Sequence, residues 1–163
     1  MKTFDTNNHQ PGWQPDRAEL SDWLRSQVLC SLATLDSDGA PDIATVAFSE
    51  TDQGDFIVGT SESSRKSSNV DGDPRAAIVV TDPSDRYTAQ IKGVAKKLSD
   101  VAFASLADTH YSQRPESLPF KDEPGQTHIL ISPEEIRFSD CSVSPWLTTT
   151  FSGESARIER SQS

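Results

Sequence analysis

With 163 residues and a formal net charge of −10, the chain has the size of one domain and is acidic along its whole length. That balance excludes a nucleic-acid partner, since a polyphosphate needs a basic stripe and none is present. No apolar run approaches the roughly 20 residues needed to cross a bilayer, and Met1 to Gln14 lacks the apolar centre of a signal peptide, so a cytoplasmic protein without a membrane partner is expected.

The acidity reads most simply as a solvated surface, with a salt-adapted source as the sharper alternative. Cys30 and Cys141 form no CxxC pair and lie near no ligand-spaced histidine, so reduced structural thiols are expected and no metal site.

After a polar leader over 1–15, Asp16 and Glu19 have the spacing of a reciprocal helix cap. Leu20, Trp23, Leu24 and Val28 then repeat at helical spacing and predict one buried face. The period changes to short β-branched runs at Leu29 to Leu35 and Ile43 to Phe48, joined by a turn at Asp38-Gly39. Phe56 to Thr60 and Ala76 to Thr81 read as further strands, with a short helix between them in the polar stretch Ser61 to Asp71. Tyr87 to Leu98 reads as a strand that bends at Gly93. Ser99 caps a helix whose Phe103, Leu106, Ala107 and His110 share a face. His128 to Ile131 and Ile136 to Phe138 read as two last strands interrupted by Pro133, and 142–163, rich in Ser and Thr, as a tail that is partly disordered or lies on a partner chain. The main domain is then 16–141. Without βαβ alternation, six or seven strands with flanking helices predict a mainly β fold, an antiparallel barrel.

The segment with chemistry in it runs from Gly59-Thr60-Ser61 through Ser64-Arg65-Lys66 to Asp73-Pro74-Arg75. Hydroxyls, backbone N–H groups and two cations gathered in an acidic chain suit a phosphate monoester dianion. An ordinary solvated Arg-Lys pair is the competing reading. The segment resembles the pyridoxamine 5′-phosphate oxidase pattern of a strand ending in Thr-Asn, then Ser-Arg-Lys, then Asn-Pro-Arg. The similarity extends back over Leu32 to Phe48 and forward to Gly93 to Ser99, covering roughly 28–114.

This resemblance implies a split β-barrel that binds FMN as a homodimer, with the flavin at the subunit interface. It implies that Arg65 and Lys66 hold the phosphate with Ser64, and that Gly59 and Thr60 line the site. Ala44, Thr45 and Val46 would lie along the flavin ring, and Thr88 and Gln90 would reach the partner's flavin. The implied activity is FMN-dependent oxidoreduction with a small-molecule electron donor or acceptor. A flavin-binding or stress-response module without turnover, or a haem- or deazaflavin-binding member of the fold, are the alternatives.

The chain departs from the oxidases of pyridoxamine phosphate at the substrate side. Ala44 and Ser49 stand where those enzymes have arginine and lysine, an expected aromatic falls at Ser139, and an Arg-Leu-His substrate motif has no counterpart. Tyr111 and Arg114-Pro115 echo another substrate-binding stretch. His9, His110 and His128 are not paired by spacing, and structural roles are expected for them.

Overall fold

The computed structural model describes residues 10–158. Asp16 caps the first helix reciprocally: its carboxylate accepts from the Glu19 N–H at 2.8 Å, and the Glu19 carboxylate accepts from the Asp16 N–H at 2.9 Å. The resulting α1 (Arg17–Ser26) buries Leu20, Trp23 and Leu24 completely. Val28 does not share that face. The helix stops at Ser26, where the Gln27 N–H returns to the Leu24 carbonyl, and Val28 lies 47% exposed on the way into the sheet.

The hairpin of β1 (Leu29–Leu35) and β2 (Pro41–Glu50) forms as its turn residues dictate. The Asp36 carboxylate accepts from the N–H groups of Asp38 and Ala40, and Gly39 takes the positive φ that the turn requires. There follow β3 (Phe56–Ser61), α2 (Arg65–Gly72), β4 (Arg75–Thr81) and β5 (Tyr87–Leu98). With β6 (Gln126–Asp140) and β7 (Leu147–Ser152), all pairings are antiparallel, in the order β3-β2-β1-β4-β5-β6-β7, and β3 also pairs with β6, which closes six strands into a barrel. Alternation on β5 points Tyr87, Ala89 and Ile91 into the core and Thr88, Gln90 and Lys92 outward.

Three expectations from the sequence are corrected. The helix after Ser99 is broken at Leu106 into α3 (Asp100–Ala104) and α4 (Ala107–Gln113). The last two strands are one, β6 (Gln126–Asp140), because Pro133 falls at the register shift opposite Gly93, where the ladder is already interrupted and its missing N–H costs little. Within the supposed tail, Leu147–Ser152 forms β7, paired with Glu135 to Asp140 of β6, and Phe151 packs on the core. Its threonines hid the alternation while favouring the extended chain. The chain then crosses to the β2–β3 turn, where the Ile158 N–H donates to the Gln53 carbonyl and Arg157 meets Asp55 at 3.0 Å.

The end of the leader is also part of the barrel. Gly12 and Trp13 donate their N–H groups to the Asp140 carboxylate at 2.7 and 2.9 Å, and the Trp13 ring packs edge-on against Tyr87 and Phe138. Cys30 is buried and free, its thiol pushed up to about 12 by burial, and Cys141 is free as well. Among the described residues no three histidines, cysteines or carboxylates gather as metal ligands, and no helix is long and apolar enough to cross a membrane.

Candidate functional site

The β2–β3 ladder ends at Phe48 and Val58, although both strands continue: β2 stays paired with β1 back to Pro41, and β3 with β6 as far as Ser61. The barrel is split there. Along Pro41 to Ala47, half of the β2 backbone groups go to β1, while the other half face the gap without a strand partner among the described residues. Of the three residues Ala44, Thr45 and Val46, Thr45 turns its main-chain donor and acceptor to this edge, whereas Ala44 and Val46 turn theirs to β1, in step with the Phe48 N–H that donates to the Val28 carbonyl. Of their side chains only Thr45 is exposed, whereas Val46 packs against the core.

Helix α2 starts beside the end of β3. Ser64 caps it, its hydroxyl accepting from the Ser67 N–H at 3.3 Å, and the Thr60 and Ser64 hydroxyls meet at 3.1 Å. The helix is fixed to the hairpin by Asn69, whose amide donates at 3.0 Å both to Thr34 Oγ1 and to the Asp42 carboxylate. Arg65 opens the first turn 85% exposed, and its only ion pair among the described residues is a 3.5 Å contact with Asp42. An exposed pair of this kind contributes at most about 1 kcal/mol, so the guanidinium can be redirected to a ligand cheaply. Lys66, half-buried beside it, makes no ion pair among the described residues. Strand end, cap, cations and helix dipole thus coincide, the physical requirements for holding a phosphate.

The structure brings Gly59, Thr60, Ser64, Arg65 and Lys66 to one end of the split. Thr88 and Gln90 lie elsewhere, on the outer face of β5, with β1 and β4 between that strand and β2. Within one chain they do not join the site.

A second group of residues was invisible to sequence spacing. His110 of α4 and His128 of β6 come together with ring centroids 5.4 Å apart, and Ser49 Oγ lies 2.7 Å from His110 Nδ1. Phe103 stacks on His128 at 3.5 Å, and Gly59 faces His128 directly across the β3–β6 ladder. Gly59, His110 and His128 border a cavity of about 180 Å³, further lined by Tyr111, Phe120 and Gln126. No motif joins Ser49, His110 and His128. Only the outward parity of Ser49 on β2 and Gly59 on β3, together with the helix that must cover them, could have suggested their meeting. His9 lies outside the described residues.

Arg114 takes no part in this cavity's chemistry. Its guanidinium, 2% exposed, donates to the main-chain carbonyls of Phe48, Gln113 and Gln27. The echo of a substrate-binding arginine therefore falls on a residue fully used in joining α4 to the sheet.

Burial, above all, and then the neighbouring His128 and Arg114 lower the His110 pKa from 6.5 to about 4. The unfolded chain takes up this proton between those values and the folded chain does not, so stability is complete above about pH 6.5 and falls as pH drops toward 4. The contribution approaches 3 kcal/mol in order of magnitude. The melting temperature of the wild type should accordingly fall more steeply from pH 7 to 5 than that of His110→Phe. Parallel slopes would assign the pH dependence to other groups.

A family model described as pyridoxamine 5′-phosphate oxidase matches residues 17–140. The pyridoxine/pyridoxamine 5′-phosphate oxidase of Rhodopseudomonas palustris is 30% identical over 103 residues, 63% of this chain and 45% of that protein. The chain spans about half the length of the curated relatives it matches. Among solved structures, a haem-binding protein from Mycobacterium smegmatis superposes with a TM-score of 0.74 at 20% identity, covering 88% of this chain and 61% of that one. An FMN-binding protein related to pyridoxamine 5′-phosphate oxidase, from Nostoc punctiforme, gives 0.58 at 16% identity, covering 81% and 88%. The family match runs from the first turn of α1 to the last residue of β6 and takes in the split and its capped helix, and the chain belongs to the pyridoxamine 5′-phosphate oxidase family.

Proposed function

We propose that the protein is an FMN-binding flavoprotein that acts as a homodimeric, FMN-dependent oxidoreductase on a small-molecule electron donor or acceptor. The observation that carries this reading is the meeting of the Thr60 and Ser64 hydroxyls, the start of α2, Arg65 and Lys66 beside the unpaired edge of β2. Family membership and the FMN-binding neighbour support it. FMN, when bound, would supply two-electron transfer through its ring. This chain's residues would grip the phosphate at Arg65, Lys66 and Ser64, and would offer the ring's polar edge the main chain of Thr45, with Ala44 and Val46 on either side of it. Gly59 and Thr60 would line the site without crowding it.

The homodimer has support in the outer face of the hairpin. Leu29 is 54% exposed and Ile43 73%, and both flank Thr45 on that face. Exposed apolar residues gathered in this way mark a surface that is covered in the working protein. A second copy seated there would bring its Thr88 and Gln90 to the flavin. The reading stops short of pyridoxamine phosphate, because Ser49 is engaged with His110 and Arg114 with three carbonyls. A haem-binding neighbour shares the fold as well, but the cationic helix start beside the split favours FMN over haem. The two described histidines border a cavity of about 180 Å³, below the range of even drug-sized ligands.

The test is FMN titration of the flavin-free protein. Loss of one charge-assisted bond of about 1.5–3 kcal/mol should weaken FMN roughly ten- to a hundredfold in Arg65→Ala and in Lys66→Ala. Riboflavin, which lacks the phosphate, should be affected far less. Equal losses for both ligands would mean that these side chains shape the pocket, and no loss for either would return them to the solvated surface.

A further inference from the structure

The small cavity behind Gly59 is walled by rings. His128 is stacked between Phe103 and the cavity region at an interplanar angle of 6° to Phe103, His110 meets it edge-on at 78°, and Tyr111 meets His110 at 65°. The floor is open because Gly59 has no side chain: a Cβ there would sit in ordinary contact, 3.7 Å from His128 Cδ2 and Nε2, and anything longer would enter the space. The volume, about 180 Å³, compares with the cavity of roughly 150 Å³ that takes up one benzene. That is room for about one ring.

Apart from Lys121, no residue lining the cavity carries a charge that would match an anion. His110 is neutral at pH 7, and the Arg114 guanidinium is committed to main-chain carbonyls. Lys121 stands at the mouth, 54% exposed and 4.0 Å from the Asp122 carboxylate. Burying a carboxylate or phosphate here would cost its hydration with little return.

The cavity is nevertheless polar, with Ser117, Gln126 and His128 in its lining beside His110. Nδ1 of His110 is taken by Ser49, which leaves Nε2 as the ring nitrogen without a protein partner among the described residues. The serine hydroxyl can donate or accept, so the imidazole can carry its proton on either nitrogen, and Nε2 can serve a donor or an acceptor. The pair is not a hydrolytic dyad. Ser49 is fully buried and cannot reach a substrate.

We propose that this cavity binds one small uncharged aromatic ring bearing a hydroxyl or carbonyl, of the phenol, quinol or quinone class, with that group hydrogen-bonded to His110 Nε2. The cavity shares Gly59 with the split, so the ring would lie at the border of the cofactor site. That such a ring is the flavin's redox partner rests on the flavin reading, whereas its binding does not.

The experiment uses the full chain freed of flavin, with phenol and hydroquinone as probes and phenyl phosphate and benzoate as anionic counterparts. Saturation-transfer NMR and the imidazole nitrogen spectrum should show both neutral probes binding, with shifts at His110 and His128. The anions should bind at least tenfold more weakly. His110→Phe should reduce phenol affinity at least fivefold. Gly59→Val, whose Cβ the strand accommodates, should abolish binding while melting close to the wild-type temperature, and it decides the matter should the histidine variant fail to fold. Anions binding as well as phenol, unshifted histidines, or phenol binding retained by Gly59→Val would overturn the proposal. None of these readouts involves FMN, so a failure here and a failure of the FMN titration are told apart.

Discussion

Glu50→Ala should lower the unfolding free energy by about 3–5 kcal/mol, the loss expected when one partner is removed from a buried ion pair. Glu50 ends β2 and is completely buried. Its carboxylate accepts from Arg17 Nη2 at 2.5 Å and from the Ser21 hydroxyl at 2.5 Å, with Arg25 Nε 3.6 Å away. Its backbone is held as firmly: the Glu50 N–H donates to Gln113 Oε1 at 3.0 Å, and its carbonyl accepts from Gln113 Nε2 at 2.8 Å. One residue therefore ties α1 and α4 to the sheet. Arg17 adds the segment after β7, donating through Nε to the Ala156 carbonyl at 2.9 Å. Removal of the carboxylate would leave the Arg17 side chain, only 10% exposed, without its counter-charge. Urea unfolding of Glu50→Ala, Arg17→Met and the double variant forms the appropriate cycle. The double variant should be more stable than the sum of the single losses implies, since a missing pair is less damaging than a stranded charge. A loss under about 1 kcal/mol in Glu50→Ala would show that α1 is held by its apolar face alone.

That network illustrates what the sequence made legible and what it did not. Local signals were reliable where one segment contains the whole cause. The Asp16–Glu19 cap, the Asp38-Gly39 turn and the bend at Gly93 all depend on neighbours or on a residue type, and all form as expected. The adjacency of Thr60, Ser64, Arg65 and Lys66 was legible for the same reason, since they lie within one strand-to-helix connection. The groups that meet across the fold were not legible. Glu50 with Arg17, and Ser49 with His110 and His128, come from separate elements of the chain, and no periodicity encodes such meetings. Arg114 was misleading because an arginine beside a proline looks the same whether its guanidinium faces a substrate or three carbonyls. β7 was missed because exposed threonines on an edge strand need not alternate with apolar residues to stay paired.

Gly93→Ala should cost about 4 kcal/mol or more, or prevent folding, although a single methyl group is added. The reason is a close approach of two strands and not a special backbone angle. At this position β5 shifts register against β6, and Gly93 faces Pro133 across the ladder. A Cβ on residue 93 would overlap the Ser132 carbonyl oxygen, lie 2.9 Å from its carbon and 3.1 Å from Pro133 Cα. All of these are backbone atoms, so no side-chain rotation can relieve the overlap. The strands would have to separate where β5 bends, between the half of β6 that pairs with β3 and the half that pairs with β7. The same bend closes the barrel and carries β6 from the histidine cavity to the aromatic cluster around Phe138. Gly39→Ala provides the contrast, since a Cβ there would meet nothing within 4 Å and the cost should be limited to the strain of its positive φ, about 1 kcal/mol. Comparing the melting transitions of the two variants separates crowding from backbone conformation. Equal, small losses at both positions would mean that β5 and β6 yield at the bulge, and that closure of the barrel does not depend on the missing side chain at residue 93.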